Sequence, residues 1–168
     1  MDVVREVHAY WLGLNVPQRL RRLVVCATAQ KIGSADTWAT RIEQVRHDGL
    51  PVLIDATLQR WFTPHFALSH AQRLDMIAAA FVSTSPDGYI ACCQAVADAD
   101  FRGALDALEV PLLAIAGDDD PVCPPTDLRD IAYAVPDGQY AQVPGRHICN
   151  LESPAAFNDV LLGFLQAE

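Results

Sequence analysis

Residues Pro111 to Pro125 read PLLAIAGDDDPVCPP. The uncharged run PLLAIA has the length and composition of a strand buried on both faces, as in a parallel sheet. Gly117 ends it, three aspartates follow, and prolines close the turn. In open parallel sheets, reactive groups gather beyond the carboxyl ends of the strands. Asp118, Asp119 and Asp120 therefore stand where a solvated turn, a metal site or the acid of a catalytic triad would stand. A second short strand is expected over Tyr140–Val143, and GRHICN, Gly145 to Asn150, follows it. An acid after one strand and a histidine after the next can meet in space. The acid would hold the imidazole in one tautomer and stabilise its cation, so that the histidine works as a base. Against the metal alternative, the DDD run lacks calcium-loop spacing and no second histidine lies near it.

Working outward, Val4, Val7, Tyr10, Trp11 and Leu14 share one face of a helix expected over residues 3–15. Leu23 to Ala27 fits a second buried strand. Between that strand and residue 100 there is no strand signal. Helices are expected over 34–49, with Ser34 or Asp36 as cap, over 51–62, over 70–84, and over 85–100 with Ser85 as cap and Pro86 in the first turn. Alternation then returns: a short helix at 102–108, the strand at 111–116, and a helix at 126–134 capped by Thr126. The Tyr140 strand and a last helix over 154–165, capped by Ser153, complete it. The chain divides into a core helix and strand (1–33), an inserted helical block (34–101) and a return to the core (102–168). The fold class is α/β, with about three parallel strands.

Half of the 168 residues are apolar, enough for a core, and the net charge is −9. That balance argues against nucleic acid or an anionic membrane surface as partner, since both favour a basic patch. The five cysteines (26, 92, 93, 123, 149) are odd in number and form no CxxC pair. They read as reduced thiols, and with no apolar stretch of spanning length and a charged N-terminal segment the expected setting is the cytoplasm.

Several stretches resemble the 3-oxoadipate enol-lactonases, α/β-hydrolases of the β-ketoadipate pathway of aromatic catabolism. These are VPQRLRRLVVCATAQKIGSADTW, RWFTPHF, SPDGYIACCQAVADADFR, PLLAIAGDDDPVCPP and GRHICNLESPAAF. The resemblance implies an α/β-hydrolase fold whose residues 34–101 form a helical cap over a small lactone or ester substrate. Gly117-x-x-Asp120-Pro121 matches the acid turn of such hydrolases, which assigns Asp120 as triad acid and His147 as base. Asp118 and Asp119 are then expected to be solvated turn residues. Trp61 is a candidate wall of the substrate pocket, and Cys92 and Cys93 are core or pocket lining rather than nucleophiles. No cofactor is implied, because a serine hydrolase needs only water as second substrate.

The family nucleophile is a serine in a G-x-S-x-G elbow. The sequence has no such motif, and its serines are 34, 69, 83, 85 and 153. Counted back from the helix of Trp11, the elbow position falls near Val3. The resemblance thus implies an incomplete α/β-hydrolase, a truncated form inactive alone. Its strand at 23–27 would present an open edge for self-association or for a separate N-terminal piece. A non-catalytic binding module of hydrolase descent and part of another esterase are the alternatives.

Overall fold

The computed structural model describes residues 3–167. Strands β1 (Leu23–Cys26), β2 (Leu112–Gly117) and β3 (Gly138–Val143) form a parallel sheet in that order. Leu112 of β2 pairs with Leu23 on one side and Gly138 on the other. Every residue of β2 is buried, as its uninterrupted apolar run requires of a central strand covered on both faces. The period-two alternation divides its side chains. Leu112, Ala114 and Ala116 face a core built with Leu23 and Val25, Tyr10 of α1 (Val3–Asn15) and Leu128 and Ile131 of α7 (Pro125–Ala134). Leu113 and Ile115 face the opposite core, with Val143, Cys149 of α8 (Cys149–Glu152) and Phe164 of α9 (Pro154–Gln166). Among the described residues β1 is hydrogen-bonded to β2 alone.

Five helices occupy the stretch between β1 and residue 100: α2 (Ala35–Asp48), α3 (Ile54–Trp61), α4 (Pro64–Ser69), α5 (Ala71–Val82) and α6 (Pro86–Asp98). Ser34 and Thr37 form a reciprocal capping box at the start of α2, and Ser85 caps α6 ahead of Pro86. Ile42, Val45, Leu50, Leu53, Tyr89 and Cys93 make a separate core within this block.

Several element boundaries differ from the expectation. The helix expected from residue 51 begins as a 3-10 turn over Leu50–Leu53, because Gly49 (φ +75°) and Pro51 first turn the chain tightly. The short helix at 102–108 is a single 3-10 turn, Leu105–Ala107. Helix α4, not expected, starts where Thr63 caps Phe66 and Pro64 fills the first helical position. Thr126 does not cap α7: Pro124 and Pro125 fix the backbone at its start, one residue earlier, and no side chain caps it. Ser153 stands at the start of α9 without a side-chain capping bond. β1 stops at Cys26 because Ala27 adopts a positive φ of 48°. No cysteine is in a disulfide, and no helix among the described residues is long and apolar enough to cross a membrane.

Candidate active site

The end of β2 and the loop after β3 lie against each other at backbone distance. A Cβ on Gly117 would fall 2.2 Å from the Arg146 carbonyl oxygen and 2.6 Å from that of Gly145, so only glycine fits there. The strand pairing continues past both ends: the Asp118 N–H donates to the Val143 carbonyl and the Asp119 N–H to the Gly145 carbonyl.

The three aspartates take three different partners. Asp118 Oδ1 accepts the Gly145 N–H at 2.8 Å, and Asp119 Oδ2 accepts from Arg146 Nε at 2.8 Å. These two are thus not plain solvated turn residues: although exposed, they fasten the β2 turn to the loop after β3. Asp120 alone turns inward, with its side chain fully out of solvent. Its Oδ1 accepts the backbone N–H groups of Val122 (2.7 Å) and Cys123 (3.2 Å), closing the turn on itself. Its Oδ2 lies 2.9 Å from His147 Nδ1. A carboxylate there only accepts, so Nδ1 carries the proton and donates it, which leaves Nε2 as the basic nitrogen. Among the described residues no hydroxyl or thiol is hydrogen-bonded to the imidazole.

A second set of bonds ties the His147 loop to the helical block. Arg146 N donates to Glu152 Oε1 at 2.7 Å, and the same carboxylate accepts from the backbone N–H and the hydroxyl of Thr63. Ile148 N donates to the Trp61 carbonyl at 3.1 Å, and the Arg146 guanidinium donates to the Gln59 carbonyl. His147 is therefore fixed from both sides. Reading by sequence missed Arg146 and Glu152; their signal was their place beside and five residues after the histidine, in the stretch GRHICNLE.

His147 opens onto a cavity of about 760 Å³ between the sheet end and the helical block, large enough for a small organic ligand. The Trp61 side chain shares this wall and meets Phe81 edge-on, with ring centroids 5.8 Å apart. Cys92 and Cys93 also line it. Burial pushes the Cys93 thiol up, opposed by the positive charge of Arg41. Burial, and then the charge of Asp120, push Cys149 up to about 11, so this thiol near His147 stays protonated at neutral pH. The elbow position near Val3 falls in α1, and the side chain there lies outside the described residues.

The chain is 34% identical over 148 residues to 3-oxoadipate enol-lactonase 2 of Acinetobacter baylyi, an alignment that takes in 88% of this chain and 55% of the relative. It is 31% identical over 159 residues to enol-lactonase 1 of the same organism, covering 95% of this chain and 60% of that protein. The chain is a homologue of the 3-oxoadipate enol-lactonases. The crystal structure of the enol-lactonase from Burkholderia xenovorans superposes with a TM-score of 0.94 at 32% identity, over 98% of this chain and 64% of that one. The fold is accordingly that of the α/β-hydrolases. The chain spans somewhat more than half the length of its lactonase relatives, and no family model matches it.

Proposed function

We propose that this chain carries the acid, the base and the substrate cavity of a hydrolase for 3-oxoadipate enol-lactone, and that its nucleophile is not among its own residues. The observation that carries the reading is the buried Asp120–His147 pair, 2.9 Å apart, opening onto the cavity. In this role His147 Nε2 takes the proton of an attacking serine as the lactone carbonyl becomes tetrahedral. It returns that proton to the ring oxygen as the C–O bond breaks, and Asp120 stabilises the intervening imidazolium. Water, activated by the same nitrogen, then releases the acid and regenerates the serine. Residues 34–101 act as the cap over the substrate, with Trp61 as one wall. A cytoplasmic setting and a place in aromatic catabolism belong to the same proposal.

The test is hydrolysis of 3-oxoadipate enol-lactone by the chain alone and by the chain preceded by a segment carrying a G-x-S-x-G elbow, each with a His147→Ala control. The expected result is background rate for the chain alone and turnover for the extended form, lost in the His147→Ala variant. Turnover by the chain alone that depends on His147 would refute the missing nucleophile. A folded extended form without turnover would refute the lactonase function. A second reading, a binding module without turnover, is favoured by the cavity, whose lining is drawn from residues 32–148 of this chain.

A further inference from the structure

We propose that Glu152 is a positioning residue for His147: its carboxylate bridges the junction of α3 and α4 to the backbone just ahead of the histidine, so that the helical block and Asp120 together set where the imidazole stands. The inference rests on the reading of His147 as a base and names the group that holds it in register.

Where α3 ends and α4 begins, backbone groups are left over. The last carbonyls of α3 have no partner within the helix. Two of them find one in the loop after β3: the Trp61 carbonyl accepts the Ile148 N–H, and the Gln59 carbonyl accepts from the Arg146 guanidinium. Thr63 then caps α4, its hydroxyl oxygen accepting the Phe66 N–H at 3.2 Å. Its hydroxyl proton and its own N–H remain, and both go to Glu152. The hydroxyl donates to Oε2 at 2.5 Å, and the N–H reaches Oε2 at 3.1 Å and Oε1 at 3.3 Å. Oε1 in turn accepts the Arg146 N–H at 2.7 Å. The backbone N–H groups of both neighbours of His147 are thus tied to the helical block, Arg146 through Glu152 and Ile148 directly. The ring between them is bonded to Asp120, in the turn after β2.

The chain is shaped for this bridge. The single turn of α8 brings Glu152 back over Gly145, whose φ is +121°. A Cβ on Gly145 would stand 3.0 Å from the Glu152 Cβ and 3.3 Å from its Cδ, so a side chain there would push the carboxylate away from Arg146. Among the described residues Glu152 has no cation within ion-pair distance. Its donors are two backbone N–H groups and one hydroxyl, so the carboxylate is used for its two acceptor oxygens, whose shortest bonds run to different segments. An amide cannot replace it. Its single oxygen serves one segment, and its NH₂ group meets an N–H of the other. A base must also stand where its nitrogen meets the proton it takes, and a misplacement of about 1 Å can cost about 10² in rate.

Nuclear magnetic resonance of the chain labelled with nitrogen-15 at histidine reads the position without turnover, through the His147 tautomer and the exchange rate of the Nδ1 proton with water. Glu152→Gln is expected to raise that rate by about tenfold or more, because a hydrogen bond to a charged acceptor is lost, and to populate the Nε2–H tautomer. Thr63→Val, which lacks the hydroxyl, is expected to act in the same direction, and Thr63→Ser, which keeps it, to match the parent chain. Ser85→Ala removes the cap of α6 and weakens the same helical block outside the bridge, and it is expected to leave the His147 signals where they are. A lower melting temperature in Glu152→Gln with unchanged His147 signals would make Glu152 a structural tie only and overturn the proposal, as would an equal response in Ser85→Ala. If Glu152→Gln does not fold, the contrast between Thr63→Val and Thr63→Ser decides, and a like response in the two overturns it. In the elbow-extended form Glu152→Gln is expected to lower kcat by about tenfold to hundredfold. Undiminished turnover there would sink the positioning role and leave the lactonase reading intact, whereas an extended form that never turns over refutes the lactonase and leaves the resonance result standing.

Discussion

Replacing Asp120 by asparagine tests the buried pair without requiring turnover. The aspartate accepts three hydrogen bonds: two backbone N–H groups on Oδ1 and the imidazole on Oδ2. Asparagine has one acceptor oxygen and one donor nitrogen in nearly the same shape. The two backbone donors cannot reorient, so the amide oxygen stays with them and the NH₂ group faces His147 Nδ1. That nitrogen must then accept, which moves the ring proton to Nε2 and removes the base from the cavity side. Three charge-assisted bonds become neutral ones, and each loses about 1 kcal/mol. The total, about 2–3 kcal/mol, corresponds to a fall in melting temperature of roughly 5–10 °C for a domain of this size. Nitrogen-15 chemical shifts of the imidazole report the tautomer directly: the proton is expected on Nδ1 in the parent chain and on Nε2 in Asp120→Asn. In an active, elbow-extended form the same change is expected to cost about 10⁴ in kcat. An unchanged tautomer together with an unchanged melting temperature would refute the assignment of Asp120 as the group that orients His147.

Cys149 predicts an alkaline limit: its folded pKa of about 11 lies above the ordinary 9.0, so its burial stabilises the fold fully below pH 9. That contribution, about 3 kcal/mol, is lost as pH rises from 9 to 11, and melting curves should fall across that window less steeply in Cys149→Ala. Ala27, at φ +48°, holds a conformation that costs a non-glycine residue about 1–2 kcal/mol. Ala27→Gly is therefore expected to raise the melting temperature by a few degrees, and a fall would show that the methyl packs. The outer edge of β1 is expected to drive self-association, visible as a concentration-dependent sedimentation coefficient; a monomer at every concentration refutes it.

The sequence was legible where local chemistry and tertiary packing agree. PLLAIA read as a buried strand, and S-P ahead of GYIACC wrote both a cap and a first helical residue for α6. Legibility failed at short elements that neighbours stabilise: α4 and α8 are too brief to show helical periodicity and are held by the Thr63–Glu152 bond and by the packing of Cys149 with Val143 and Phe164. It failed differently at the aspartates. Their position after a strand marked a site, but which one turns inward depends on Gly117, where the loop after β3 presses against the strand end.

Asp120 and His147 do not weigh equally as signs of function. Asp120 also serves the fold, because its Oδ1 closes the turn after β2. Without it the Val122 and Cys123 N–H groups would lose their partner in a buried place. A turn alone could retain it. His147 serves the fold in no comparable way. Among the described residues its ring makes one hydrogen bond, to Asp120, and it lines the cavity. An apolar side chain of similar size would fill that position without requiring a buried polar partner. A buried carboxylate beside an apolar residue would be costly, and the imidazole offsets this; asparagine at 120 with leucine at 147 would remove the charge but leave a buried amide NH₂ without an acceptor. The pair thus carries a charge that the turn alone does not require, and it stands at the cavity wall, beside the nitrogen that a hydrolase would use.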